Sequence, residues 1–310
     1  MNDISLGALD FCRISPGSTS HAAIWETIEL VQKLDQIGYS RFWLGEHHTA
    51  GVAHSSPEIL IPILAGVTQQ LRIGAAGILL RFYSPFKVAK NFRLLESVFP
   101  GRIDLGLAKG SAPDPVRQRL LGSQPERAYE EKVAELLEYM RGIGPVAANP
   151  IGLAPPEIWI LAGAGRSNLL AASSGTSLCL SLFLEENDNW ALGSLHAYRK
   201  SFVPSPELTH PNCAVAIAGI CADTERDAHR LLEEFEVTNE NPSRAVHVFP
   251  KVVGEPVSCA EQIRNLSLRL DVKSIVFLDL CLRLEDRIRS YSLLSSAVQK
   301  SGAPEIITVS

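Results

Sequence analysis

Along the chain, short apolar runs alternate with longer stretches in which apolar residues return every three or four positions. The first kind is the signature of buried strands, the second of amphipathic helices. ISLGALDF (4–11) reads as the first strand. After the turn RISPGS, HAAIWETIELVQKLDQIG reads as a helix, with Ile24, Ile28, Val31, Leu34 and Ile37 on one face and Gly38 where a helix stop belongs. YSRFWLGEHH, LRIGAAGILL, RIDLGLAKG, EIWILAGAG, SLCLSLFL, CAVAIAGICAD and KSIVFLDLC supply seven more strands. Helical stretches follow most of them, among them PEILIPILAGVTQQ, PERAYEEKVAELLEYMRG and SPFKVAKNFRLLESVFPG, where Ser84 is the N-cap and Pro85 takes the first position. Eight such units predict an α/β fold, a (β/α)8 TIM barrel, over a doubly wound sheet. Glu236 to Pro256 shows no clear period and reads as a short irregular insertion, a loop at the barrel mouth. It is too short for a second domain, so a single barrel domain over residues 1–310 is expected.

Composition narrows the partner. Charged residues make up 20% and the net charge is −5, which removes the electrostatic reason to expect nucleic acid and leaves a small molecule. The six cysteines (Cys12, Cys179, Cys213, Cys221, Cys259, Cys281) form no C-x-x-C pair and several sit inside apolar runs, the pattern of buried reduced thiols. The N-terminal stretch MNDISLGALDFCRISPG lacks the basic start and apolar core of a secretory signal. No run approaches the roughly eighteen apolar residues of a membrane span. A soluble cytoplasmic protein without a membrane contact is therefore expected.

Three stretches carry candidate chemistry. In FWLGEHHTAG (42–51), His47 and His48 are adjacent, whereas a zinc pair needs two imidazoles on one face. If the run is a strand the two rings diverge, so a metal site is disfavoured. The histidines then fall at the C-terminal end of the strand, where barrel enzymes place reactive groups; a plain structural role for a buried strand-end histidine is the competing reading. In PGRIDLGLAKGSAPDP (100–115), Lys109 is followed by Gly110 and a turn, a setting suited to a phosphate. In ILAGAGRSN, the turn Gly163–Ala164–Gly165–Arg166 opens a helix whose first amides attract anions. That turn lacks the third glycine and the distant acidic residue of a dinucleotide site, so a mononucleotide or other phosphorylated ligand fits better.

Taken together with SSPEILI (55–61), LRIGAAGILL (71–80), SPF (84–86), FPGRIDLGL (99–107) and IWILAG (158–163), the run GYSRFWLGEHH (38–48) gives the chain, over nearly its whole length, a pattern that resembles the luciferase-like flavin monooxygenases. The resemblance implies a barrel that uses O2 and reduced FMN supplied by a separate flavin reductase to oxygenate a small organic substrate, and that forms a homodimer through helices around 57–69 and 85–98. It places His47 at the family's active-site histidine near the flavin–oxygen adduct. Ala76–Gly77 falls at a cis non-proline peptide under the flavin ring. Lys109 and Gly163 to Arg166 fall at the two halves of the FMN phosphate clamp.

Several positions depart from the family pattern. Lys109 stands where an arginine is common, keeping the charge without the fork. Ala164 replaces a serine, Ala108 stands at luciferase's reactive cysteine, Arg81-Phe82-Tyr83 replaces a P-x-H type run, and the lid segment 236–256 is short. Two alternatives therefore stay open: a non-catalytic barrel or partner subunit with a degraded flavin site, and a reductase that uses a deazaflavin.

Overall fold

The computed structural model describes residues 4–110, 119, 128–239 and 248–300. Its strands are β1 (Ser5–Asp10), β2 (Arg41–Leu44), β3 (Arg72–Leu79), β4 (Ile103–Ala108), β5 (Glu157–Ala162), β6 (Ser177–Ser181), β7 (Cys213–Cys221), β8 (Pro250–Gly254) and β9 (Ser274–Asp279). The helices are α1 (Ser20–Ile37), α2 (Pro57–Gly66), α3 (Pro85–Val98), α4 (Tyr129–Arg141), α5 (Ser167–Ser174), α6 (Trp190–Ser201), α7 (Glu225–Asn239), α8 (Pro256–Leu270) and α9 (Leu284–Lys300). Local chemistry sets their ends. Thr19 caps α1 by accepting from the Ala22 amide, and Gly38, at φ 93°, closes it with its own amide on the Leu34 carbonyl. Ser84 caps α3 through the Lys87 amide, with Pro85 in the first turn.

β1 to β6 pair in sequence order, β6 pairs with β7, β7 with β9, and β9 returns to β1, all in parallel. The eight strands close a (β/α)8 barrel. Alternation along each strand then sorts the side chains. Leu9, Trp43, Trp159, Ala216, Val276 and Leu278 belong to the inner cluster. Ala8, Phe42, Leu44, Ile158, Ile160, Ile275 and Phe277 belong to the outer layer beneath the helices. Trp43 and Trp159 meet edge to face inside, 5.3 Å between ring centres.

The N-terminal end of the barrel is closed by charge. Asp104, fully buried, accepts from Trp43 Nε1 at 2.8 Å, from Arg41 Nη1 at 3.2 Å and from Arg72 Nε and Nη2 at 2.8 and 2.6 Å. Both guanidinium groups also lie within 4 Å of Glu157, at 3.9 and 3.4 Å.

The segment 236–256 is more regular than expected. Glu236 to Asn239 complete α7, and Pro250–Gly254 form β8; positions 240–247 lie outside the described residues. β7 pairs with β6 over Cys213–Ala216 and with β8 over Ala218–Cys221, while the Phe249 amide donates to the Phe183 carbonyl just past β6. β8 thus wedges between the ends of β6 and β7 at the mouth. Gly219 allows it: a Cβ there would lie 1.8 Å from the Val252 carbonyl oxygen.

Candidate active site

β2 ends at Leu44, so Glu46, His47 and His48 stand in the loop beyond it, where the sequence reading had continued the strand to His48. The two imidazoles nevertheless part. The His47 ring meets Phe11 edge to face, with ring centres 4.6 Å apart. Phe11 can lie there because position 45 is glycine; a Cβ on Gly45 would sit 2.2 Å from the Phe11 ring. His48 Nε2 instead lies 2.9 Å from Glu46 Oε1. Burial, with the neighbouring His48 as a smaller cause, pushes the His47 imidazole down to about 4. At neutral pH it is an uncharged ring with one nitrogen able to accept a proton.

Glu46, in sequence one of three candidates at the strand end with no assigned role, is the hub of this loop. It is buried, and it accepts from the Leu79 amide at 2.9 Å and from the Tyr83 hydroxyl at 2.6 Å in addition to its contact with His48. Burial raises its carboxyl above the usual range, and those three contacts pull against the rise without cancelling it. Glu46 therefore ties the His47 loop to the end of β3. The one signal available was the departure at 81–83: Tyr83 supplies the hydroxyl, and the Lys132 ammonium holds the turn by donating to the Arg81 and Tyr83 carbonyls at 2.7 and 3.0 Å.

Between β3 and β4 the backbones come unusually close. The Ala76–Gly77 peptide is cis, and the register shifts between Ala75 and Ile78. A Cβ on Gly77 would lie 2.9 Å from the Gly106 carbonyl, and one on Gly106 would lie 2.1 Å from the Ala75 oxygen. This part of the wall is bare backbone. Next to it, Leu79 and Phe82 form a small apolar cluster with Tyr83 and Ala108 packed on it.

The phosphate candidates follow on the next two strand ends. Leu107 pairs with Ile160, so Lys109 and Gly163 leave the barrel side by side. Lys109 is more than half exposed, and its Nζ lies 3.8 Å from Glu130 Oε1 on α4. Gly163 to Arg166 form an exposed turn into α5, whose start carries no side-chain cap. A Cβ on Gly165 would meet nothing within 4 Å, and one on Gly163 only Leu184 at 3.8 Å, so the space in front of these amides is open. His47, Lys109 and Gly163–Arg166 thus stand just past the ends of β2, β4 and β5, and the Ala76–Gly77 backbone lies in the last half of β3 between them.

Such an edge, with an apolar and glycine-floored side beside a cationic corner with open amides, suits a ligand that has a flat ring at one end and a phosphate at the other. The family model for luciferase-like monooxygenases matches residues 4–251. The chain is 32% identical to the uncharacterized protein YwcH of Bacillus subtilis (strain 168), over 95% of this chain and 99% of that protein. It is 28% identical to the N-acetyl-S-alkylcysteine monooxygenase of the same organism, over 95% and 98%. The solved structure of apo-MsnO8 superposes with a TM-score of 0.87 at 26% identity, covering 96% of this chain and 98% of that one. The oxygenating constituent of 3,6-diketocamphane monooxygenase from Pseudomonas putida, solved with FMN, superposes at 0.77 with 18% identity over 96% and 98%, a likeness of fold. This chain belongs to the luciferase-like monooxygenase family.

Proposed function

We propose that this chain is an oxygenase that takes up reduced FMN from a separate flavin reductase and uses O2 to oxygenate a small organic substrate. The observation that carries the reading is that His47, the bare β3–β4 backbone and the turns bearing Lys109 and Arg166 belong to four neighbouring strands at one end of the barrel. When bound, reduced FMN supplies the two electrons with which one atom of O2 enters the substrate and the other leaves as water. The chain's own residues do the rest. Lys109, Arg166 and the amides of Gly163 to Gly165 hold the phosphate, and Ala76, Gly77 and the Leu79–Phe82 cluster present a flat floor to the ring. The neutral His47 imidazole accepts a proton at a ring nitrogen or holds one against a bound oxygen atom. Glu46 positions His47 through the loop they share.

The ion pair of Lys109 with Glu130 favours a second reading, in which the phosphate corner is degraded and the barrel is a non-catalytic subunit: a carboxylate lies where the phosphate's cation is needed. Titration of the purified protein with FMN, reduced FMN and a reduced deazaflavin separates the readings. Under the proposal reduced FMN binds saturably, Lys109→Ala and Arg166→Ala each weaken it about tenfold, and Glu130→Gln strengthens it. No saturable binding of any flavin supports the non-catalytic barrel, and binding of the deazaflavin alone redirects the assignment to a reductase. We also propose that the protein works as a homodimer through α2 and α3, which expose Ile59, Ile63, Leu94 and Val98.

A further inference from the structure

A small cavity lies at the same end of the barrel as the candidate active site, beside the loop after β1. It encloses about 40 Å³, and its walls include Arg13, Ser15, Gly51, Phe235, Thr238 and Arg287. A space of that size holds on the order of two or three waters, or one carboxylate head. Two of its wall residues are arginines, and none of the described wall residues is acidic. Each arginine keeps a buried N–H group without a hydrogen-bond partner among the described residues: Nη1 of Arg13 and Nε of Arg287. Arg287 is 6% exposed. Buried donors in folded proteins are almost always paired, so two orphans on one small cavity require an acceptor.

Neither nearby carboxylate reaches the two orphans, although Asp279 Oδ2 is itself buried without a hydrogen-bond partner among the described residues. Asp10 is already satisfied by the Cys12 amide, the Thr27 hydroxyl and Arg287 Nη2, each at 3.0 Å. Asp279 Oδ1 accepts from the Cys281 amide, and Arg13 Nη2 donates to the Asp279 backbone carbonyl rather than to its side chain. Arg13 also lies over the Phe235 ring, 4.9 Å from its centre, which fixes its plane. Burial, and after it the like charge of Arg287, push the Arg13 guanidinium below its ordinary range. Asp10 and Asp279 pull the other way on both arginines, so the case for a ligand rests on the two unpaired N–H groups and the space between them.

The cavity is linked to the candidate active site through the two loops that line both. Arg13 pairs through its backbone with Val52, in the loop that carries His47, and Phe11, two residues before Arg13, is the ring that meets His47. We infer that the Arg13–Arg287 cavity is an anion subsite that receives the carboxylate of an acid-bearing organic substrate. The inference rests on the proposed oxygenase reading for the identity of that acid as substrate; the anion site itself stands without flavin.

The test uses the full chain free of flavin. Thermal unfolding is followed while acetate, formate or chloride is titrated at constant ionic strength. The expected result is a saturable rise in Tm with acetate and formate at concentrations at least tenfold below those at which chloride acts. Arg13→Gln abolishes it and Arg13→Lys, which keeps charge without the fork, weakens it. Chloride matching acetate, or no saturable effect, overturns the inference and leaves the flavin titration untouched. Should the variants not fold, a crystal of the unaltered chain grown in acetate decides: density bridging Arg13 Nη1 and Arg287 Nε supports the subsite, and water or a protein group there refutes it.

Discussion

His47 shows how one burial decides what a residue can do. An imidazole pushed down to about 4 is neutral across the physiological range, so in the proposed reaction it is available as a proton acceptor and not as a standing acid. The same shift acts on stability. An unfolded histidine takes up its proton near pH 6.5, whereas the folded one resists until about 4, so between those values the unfolded state binds more protons. Stability contributed by the neutral ring is fully present above the unfolded value and is lost as the pH falls through this window, by about 2 kcal/mol at pH 4.5. A His47→Gln variant is therefore expected to lose about that much less between pH 7 and pH 4.5 than the parent chain. Urea unfolding at the two pH values measures it, and parallel losses in both proteins would refute the neutral, buried His47.

At the scale of elements, the barrel strands were legible because each carries its own period and turn residues, as in Arg72–Leu79 after the loop that ends α2. β8 was not, because five residues with Val252 and Gly254 as their only fully buried positions carry no usable alternation, and its pairing edge exists only where β6 leaves β7. The candidate site divides the same way. Histidines beside a glutamate and glycines before a helix announce themselves locally, whereas Glu46 meets Tyr83 across 37 positions and Lys109 meets Glu130 only after α4 has docked. Asp104 is a further case: four strands bring Trp43, Arg41, Arg72 and Glu157 around one carboxylate that reads in the sequence as an ordinary strand residue. Removing one partner of a buried ion pair leaves its counter-charge uncompensated, at a cost of about 3 to 5 kcal/mol. Asp104→Asn keeps the shape and leaves both arginines with Glu157 alone, at 3.9 and 3.4 Å, so the unfolding free energy taken from its urea midpoint and slope is expected to fall by about 3 kcal/mol. A midpoint within experimental scatter of the parent would show that the plug is not held by charge.

For the whole molecule, the apolar residues left outside the barrel's own core matter most. Ile59, Ile63 and Val67 recur every four positions along α2 and into its cap, and Leu94 and Val98 do the same on α3, all exposed between 38% and 63%. The two helices pack side by side, so the residues form one stripe, continued by Trp25 of α1, which shares a groove with Val67. A stripe of exposed apolar side chains is the kind of surface a protein contact uses, and under the proposed homodimer this face pairs with its own copy about a two-fold axis. Charge at its centre then opposes pairing twice, once from each copy. Light scattering behind size-exclusion chromatography is expected to give a dimer mass for the parent chain and a monomer for Ile63→Glu combined with Leu94→Glu, with the far-ultraviolet circular dichroism unchanged. A parent chain that elutes as a monomer at tens of micromolar would remove the homodimer. Reduced-flavin binding measured on the charged variant in the same experiment shows whether the site at the ends of β2 to β5 is complete within one copy.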